Sequence, residues 1–320
     1  MRRLLAGLTA AVLAGSLAAC GSSADSGGES ADGGVDKVKV GVIPIVDVAP
    51  IYLGQQKGFF SRRNIELTLE AGQGGAAIVP GVVQNQTQFG FSNVTSLMIA
   101  QTKNVPIKVV AAGVASTGEA GKDFGAVVVK ADSPVKTAKD LVGKKVSVNT
   151  LKNIGDTVTR ESVRKDGGDP AALNFVEMPF PNMPAALADG QVDAAWVVEP
   201  QLSTIKAAGG REVASTYVDA APNLTVAAYF TSQKLIADDP GLVKRFTEAV
   251  NESLAYADSH PDEVRAILSS YTKIDEKLRA SLVLPKWPTQ INETSVRTLA
   301  ELGAKDGIFT GTPDLEKLLP

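Results

Sequence analysis

The chain has 320 residues, 44% of them hydrophobic, with one cysteine, one histidine and a formal net charge of −3. An acidic balance argues against a nucleic-acid partner, which is gripped by a basic face. One Cys and one His exclude disulfide bonds, a thiolate or His-cluster metal site and a Ser-His-Asp set built near a cleft, so no metal or cofactor is expected.

The first residues read as a processed leader rather than as fold. Met1-Arg2-Arg3 is positive and Leu4 to Ala19 is apolar or small throughout. That run falls short of the ~18 or more residues a membrane span requires, so residues 1–19 are expected to be a secretory signal. It ends in "LAAC", Leu17 to Cys20, which resembles a bacterial lipobox and would make Cys20 the lipidated first residue of the mature chain. The alternative is ordinary signal peptidase cleavage nearby. "GSSADSGGESADGG" has nothing to bury, so residues 20–35 are expected to be a flexible tether. Without Arg2 and Arg3 the 32 Lys and Arg fall to 30 against 35 Asp and Glu, a net charge of −5.

From Val35 onward the pattern is β/α alternation, the mark of a parallel sheet covered by helices. "VKVGVI" is a strand and "PIYLGQQKGFF" a short helix stopped at Gly58. "IELTLE" is the next strand, and "GGAAIVPGVVQ" a helix that Pro80 must bend or restart. "FGFSN" and "IKVVAAGV" are strands with the helix "SLMIAQT" between them. A second run starts at "GAVVVKADS". Strands "KVSVNT", "NFVEMP", "VDAAWVV" and "REVAST" alternate with helices at 154–165, "MPAALADG" and "EPQLSTIKAAGG", and "LTVAAYFTS" returns to strand. The rest is helical. Leu242, Phe246, Val250 and Leu254 form a one-face stripe, and His260 and Trp287 read as a surface turn and loop packing. "NQTQFGFSN" and "GQVDAAWVV" echo one another, consistent with two similar lobes.

Ligands of parallel α/β sheets sit outside the carboxyl ends of the strands. Those ends carry Asp47 and Tyr52 after the first strand, Gly74 and Gly75 after the second, and Ser92 and Asn93 after "FGF". In the second run they carry Asn153 and Gly155, then Asn182 within "PFPNM", then Trp196. The helix starts near Gly75 and Gly155 would face each other and offer free N–H groups. Trp196 would present a flat face and its indole N–H, with Pro200 in the first turn of a helix and Glu199 at its positive end. Each of these residues has a plainer reading as a helix cap or as core packing.

The stretch "VGVIPIVDVAPIYLGQQKGFFSRRNIELTLE", with "DLVGKKVSV" and "ALADGQVDAAWVVEP", resembles the SsuA/THI5-like (NMT1-like) solute-binding proteins of ABC importers. The resemblance runs over most of residues 38 to 230. It implies an α/β, periplasmic-binding-protein type II fold: two α/β lobes joined by a two-strand hinge, with residues 36–124 plus 227–320 as lobe 1 and 125–226 as lobe 2. It also implies capture of a small-molecule ligand between the lobes and delivery to a permease with its ATPase. The helix start "TLKNIGDT" is poor in hydroxyls beside relatives that bind sulfonates or nitrate, and only Lys152 and Lys122 offer a cation near the cleft.

The expected protein is a monomeric, extracytoplasmic, lipid-anchored binding protein and not an enzyme. Its ligand would touch Asp47, Tyr52, Gly74, Gly75, Ser92, Asn93, Asn153, Gly155, Asn182, Trp196 and Tyr229. The leading substrate class is a sulfonate-, nitrate- or taurine-like anion. The alternative is an aromatic or heterocyclic solute such as a pyrimidine-type thiamin precursor or riboflavin. A pyrimidine-precursor synthase and a surface adhesin are the rivals from other classes.

Overall fold

The computed structural model describes residues 34–320. The expected signal segment, Cys20 and nearly all of the tether lie outside the described residues. Val35–Pro320 forms one compact unit. Its strands are β1 (Asp36–Val42), β2 (Ile65–Ala71), β3 (Phe89–Asn93), β4 (Ile107–Ala115), β5 (Gly125–Val129), β6 (Lys145–Val148), β7 (Asn174–Glu177), β8 (Ala194–Val198), β9 (Arg211–Ala214) and β10 (Thr225–Ser232).

They form two five-stranded sheets, in the orders β2-β1-β3-β10-β4 and β7-β6-β8-β5-β9. The two orders match position by position. In each, the first three strands are parallel and the fourth is antiparallel to both neighbours. That fourth strand is the one that arrives from the other sheet. β5 enters the second sheet after β4, and β10 returns to the first sheet after β9, so two crossings join the two lobes. The echo between "NQTQFGFSN" and "GQVDAAWVV" has a topological basis, because β3 and β8 hold equivalent central places. Thr225, the first residue of β10, already pairs with Ala115 of the first sheet.

Local chemistry explains the layers. β3, β5, β8 and β10 are buried at every residue, as strands covered on both faces must be, whereas β1 and β2 alternate near their amino ends. The helix Pro240–Ser259 buries Leu242, Phe246, Val250 and Leu254, the stripe expected from their spacing. Each such side chain contributes about 1.5–3 kcal/mol by leaving water. Phe246 stacks on Phe89 with ring centres 3.7 Å apart, which ties this helix to the middle of the first sheet.

Of the two outcomes expected at Pro80, a bend or a restart, the restart does not occur. Gly75–Val83 is a single uninterrupted helix with Pro80 inside it. The N–H that proline lacks would have bonded the carbonyl of Ala76, and both residues are exposed. Water can take that carbonyl, so the helix survives the missing bond.

Candidate functional site

The carboxyl ends of the parallel strands in both sheets converge on one narrow hollow of about 20 Å3. From the first sheet come Ile43, Ile45 and Asp47 after β1, and Phe91 and Asn93 of β3. Val226 and Ala227 join them because β10 runs the other way, so its beginning lies at the same edge. The second sheet contributes Asn149 after β6, Phe180 after β7, and Trp196 and Val198 of β8, with Ile154 and Tyr217 from adjoining helices. A second hollow of about 100 Å3 shares Ile43, Ile45 and Phe180 and is also lined by Gln73 and Gln201.

The loop after β1 is held by three bonds to its carbonyls and N–H groups. Tyr271 Oη donates to the Ile45 carbonyl at 3.1 Å, and Trp287 Nε1 donates to the Asp47 carbonyl at 3.0 Å. The Val46 N–H donates to the Glu199 carbonyl at 3.2 Å, which links the loop to the second lobe. These bonds fix the Asp47 backbone and leave its side chain facing the hollow. Asp47 is 3% exposed, and its Oδ1 has no hydrogen-bond partner. Burial pushes its carboxyl up to about 7; its own backbone N–H opposes that shift and the nearby Asp123 adds to it. Asp123 is also buried and raised by burial, but it is fully engaged. It accepts from Ser116 Oγ and from the Thr117 and Phe124 N–H groups in the crossing between β4 and β5.

On the facing wall, Trp196 is set by what lies behind it. Its Nε1 donates to Thr216 Oγ1 at 3.2 Å. A Cβ on Gly155 would come within 2.5 Å of Trp196 Cε3, so only glycine lets the helix Ile154–Lys165 lie this close to the ring. Tyr217 stands edge-on to Trp196 at 6.0 Å and 86°, and Phe180 lies 5.7 Å away. The indole N–H is therefore spent inside the protein, contrary to the expectation that it faces a ligand, and Trp196 offers only ring surface.

The remaining expected residues divide into three groups. Asp47, Asn93 and Trp196 line the hollow. Gly74, Gly75, Ser92, Asn153 and Gly155 sit at its edge as packing and capping residues. A Cβ on Gly75 would strike Ser92 Oγ, and one on Gly74 would crowd Asn149 and Thr150 of the other lobe. Asn153 caps its helix and exchanges hydrogen bonds of 3.1 and 2.9 Å with Ser96 across the seam. Tyr52, Tyr229 and Asn182 do not line the hollow. Tyr52 stacks on Tyr271 at 3.9 Å, behind the loop, and Tyr229 is core, packed on Phe91. Asn182 is exposed because the single turn Phe180–Asn182 carries Phe180 inward instead.

Glu199 is the helix-end carboxylate expected from its place before Pro200. It accepts from the Ser203 N–H and Oγ, and from the Val283 N–H of the C-terminal region. Burial raises its pKa while those bonds oppose the shift. Lys122 and Lys152 are both exposed and do not line the hollow, and Lys122 pairs with Glu119 at 3.3 Å. The residues that sequence reading passed over are Phe91, Asn149, Phe180 and Tyr217 in the lining and Trp287 behind it.

Among the described residues no helix is long and apolar enough to cross a membrane, and no cluster of three His, Cys, Asp or Glu could hold a metal ion.

The family model described as NMT1/THI5 like matches residues 45–264. A protein of Brucella abortus (strain 2308), named provisionally as a binding protein, is 28% identical over 151 residues, 46% of this chain and 47% of the relative. The match thus spans about half the length of the curated relatives. Among solved structures, the alkanesulfonate-binding protein SsuA from Xanthomonas axonopodis pv. citri, bound to MOPS, is similar with a TM-score of 0.74 at 15% identity, covering 89% of this chain and 98% of that one. The nitrate-binding protein NrtA from Synechocystis PCC 6803 gives 0.73 at 16% identity, covering 89% and 86%. The ligand-binding component of an ABC-type import system from Staphylococcus aureus, with zinc bound, gives 0.76 at 15% identity, covering 89% and 96%. The lobe architecture, the sheet orders and the span of the family match agree: this chain belongs to the NMT1/THI5-like family and has the two-lobed periplasmic-binding-protein fold.

Proposed function

We propose that the protein is the extracytoplasmic solute-binding component of an ABC importer. Cys20 would carry the lipid anchor and residues 20–35 would hold the folded part off the membrane. Residues 36–124 with 225–320 would form one jaw and 125–224 the other, since β10 already belongs to the first sheet at Thr225, two residues before the expected boundary. A solute would bridge them and favour the closed form for presentation to a permease and its ATPase. The observation that carries this reading is the hollow walled from the carboxyl edges of both sheets. The similar structures with a stated role are binding proteins, which supports the same reading.

The lining also separates the substrate classes. It holds no Lys or Arg, one carboxylate and four aromatic side chains. A sulfonate or nitrate would enter beside Asp47 with nothing to neutralise it, and burial of an unpaired charge is costly. The aromatic or heterocyclic class fits this wall better than the organic-anion class. A thermal-shift screen tests the proposal. Taurine, alkanesulfonates and nitrate are set against planar heterocycles, including hydroxymethylpyrimidine and riboflavin. A bound solute raises Tm by mass action. A strong shift with a heterocycle and none with the anions is expected, and a shift confined to the anions would reverse the substrate assignment.

A further inference from the structure

The hollow has one polar feature that its own protein does not satisfy. Asp47 Oδ1 lacks any hydrogen-bond partner although the residue is 97% withdrawn from solvent, being 3% exposed. Buried carboxylates in folded proteins are nearly always engaged. Asp123, close enough to act on Asp47 electrostatically, shows the ordinary arrangement with three donors around it. The contrast matters because Asp47 sits on a loop whose backbone is pinned at Ile45, Val46 and its own carbonyl, which fixes its Cα at the edge of the hollow.

The hollow that Asp47 borders is walled by six aliphatic and four aromatic side chains. Phe91, Phe180, Trp196 and Tyr217 all border the hollow, and their rings lie at different angles. An aromatic face carries negative charge density and attracts a cation, most strongly when water is excluded. Two buried acids therefore stand at or beside a space bordered in part by aromatic rings, and none of the residues that line it is basic. The charged side chains at or beside the space are acidic, and the positive helix starts that border it, Val94–Thr102 and Ile154–Lys165, are capped by Asn93 and Asn153.

We infer that Asp47 is the recognition residue for a small organic cation, a solute whose ammonium or amidinium head donates N–H to Oδ1 while its carbon frame lies among the four aromatic rings. This rests on the binding-protein reading above and names its ligand class. Asn149 borders the same space and would set the orientation of the head, whereas the Asn93 side-chain carbonyl already accepts from the Ser96 N–H as a helix cap. The hollow holds only about 20 Å3 and the one adjoining it about 100 Å3, so a ring-sized solute would enter when the lobes part and be enclosed as they close.

Three compounds of similar size separate charge from shape: benzamidinium, benzamide and benzenesulfonate. Titration calorimetry on the purified protein is expected to show binding of the cation and none of the sulfonate. Small alkylammonium ions extend the cation arm. The Asp47→Asn variant keeps the side-chain shape and removes the charge, and its own melting transition verifies that it folds. It should bind the cation at least ~30-fold more weakly, the loss typical when one partner of a buried charged pair is neutralised. Cation recognition is overturned if benzamide or benzenesulfonate binds as well as the cations, if Asp47→Asn keeps full affinity, or if no cation binds. A parallel measurement separates the two claims: solute released by denaturing the purified protein is identified by mass and charge. A neutral or anionic solute there overturns the cation assignment and leaves the binding-protein reading intact. No released solute, together with no binding across all three classes, removes both.

Discussion

Asp47 can be tested without any ligand, because its burial has a thermodynamic signature. Its carboxyl is held near 7 in the folded protein against 3.8 as the reference value. The folded state then binds more protons than the unfolded chain between those values, so stability falls as pH rises through that window and levels off above it. The full shift corresponds to a cost on the order of 4 kcal/mol. Asp123, Tyr217, Tyr229 and Tyr271 lie within electrostatic range of it, and each is already raised by burial. Asp47→Asn is expected to raise the Tm of the empty protein by several degrees at pH 8, with the gain shrinking toward pH 4. Calorimetric melting across that range checks it, and a gain that is the same at every pH would show that the charge is not the cause. Behind Asp47, Trp287→Phe removes the donor to its carbonyl. Leaving that buried acceptor bare costs about 1–3 kcal/mol, read by urea unfolding.

At the level of elements, the site depends on how closely the helix Ile154–Lys165 lies against β8. Gly155→Ala puts a methyl group into the Trp196 ring, so either the helix or the ring must move. A destabilisation of about 1–3 kcal/mol is expected, together with a changed Trp196 emission spectrum. An alanine variant with unaltered spectrum and stability would mean that the contact is looser than the structure shows. The strands that build the site were readable because β-branched runs and polar turns alternate along the chain. Asp47, Asn93 and Trp196 were readable as well, since each ends or follows a parallel strand. Tyr217 and Ala227 were not. Tyr217 reaches the hollow from the short helix Thr216–Ala220 packed on β5, and Ala227 from β10; both depend on the antiparallel fourth strand of a sheet, and sheet order is not written in local sequence. Tyr229 follows from the same gap: it lies two residues deeper along β10 than Ala227, past a bulge, and is covered by Phe91.

For the whole molecule, the lobes are joined by contacts beyond the two crossings. Ser96 and Asn153 bond across the seam, and Glu199 accepts from Val283. The C-terminal helix Glu293–Lys305 packs on both Val94–Thr102 and Ile154–Lys165, and Arg164 pairs with Asp306 at its end. That helix acts as a strap over the seam. Arg164→Ala is expected to enlarge the radius of gyration of the empty protein in small-angle X-ray scattering and to weaken solute affinity several-fold, because less of the closed form is present. An unchanged scattering curve would place the closing force elsewhere. The paired sheet orders were foreshadowed by the echo of two short segments, while the strap was not, since its helix reads as ordinary packing until its neighbours are known.

Tryptophan fluorescence during solute titration tests most directly whether a guest occupies the space between the lobes. The chain has two tryptophans, Trp196 in the wall of the hollow and Trp287 behind Asp47. A solute that raises Tm should change the emission in proportion to occupancy, and the change should largely disappear in Trp196→Phe. A solute that stabilises the protein while leaving Trp196 emission untouched would be bound somewhere else, and the hollow would not be the receptor site.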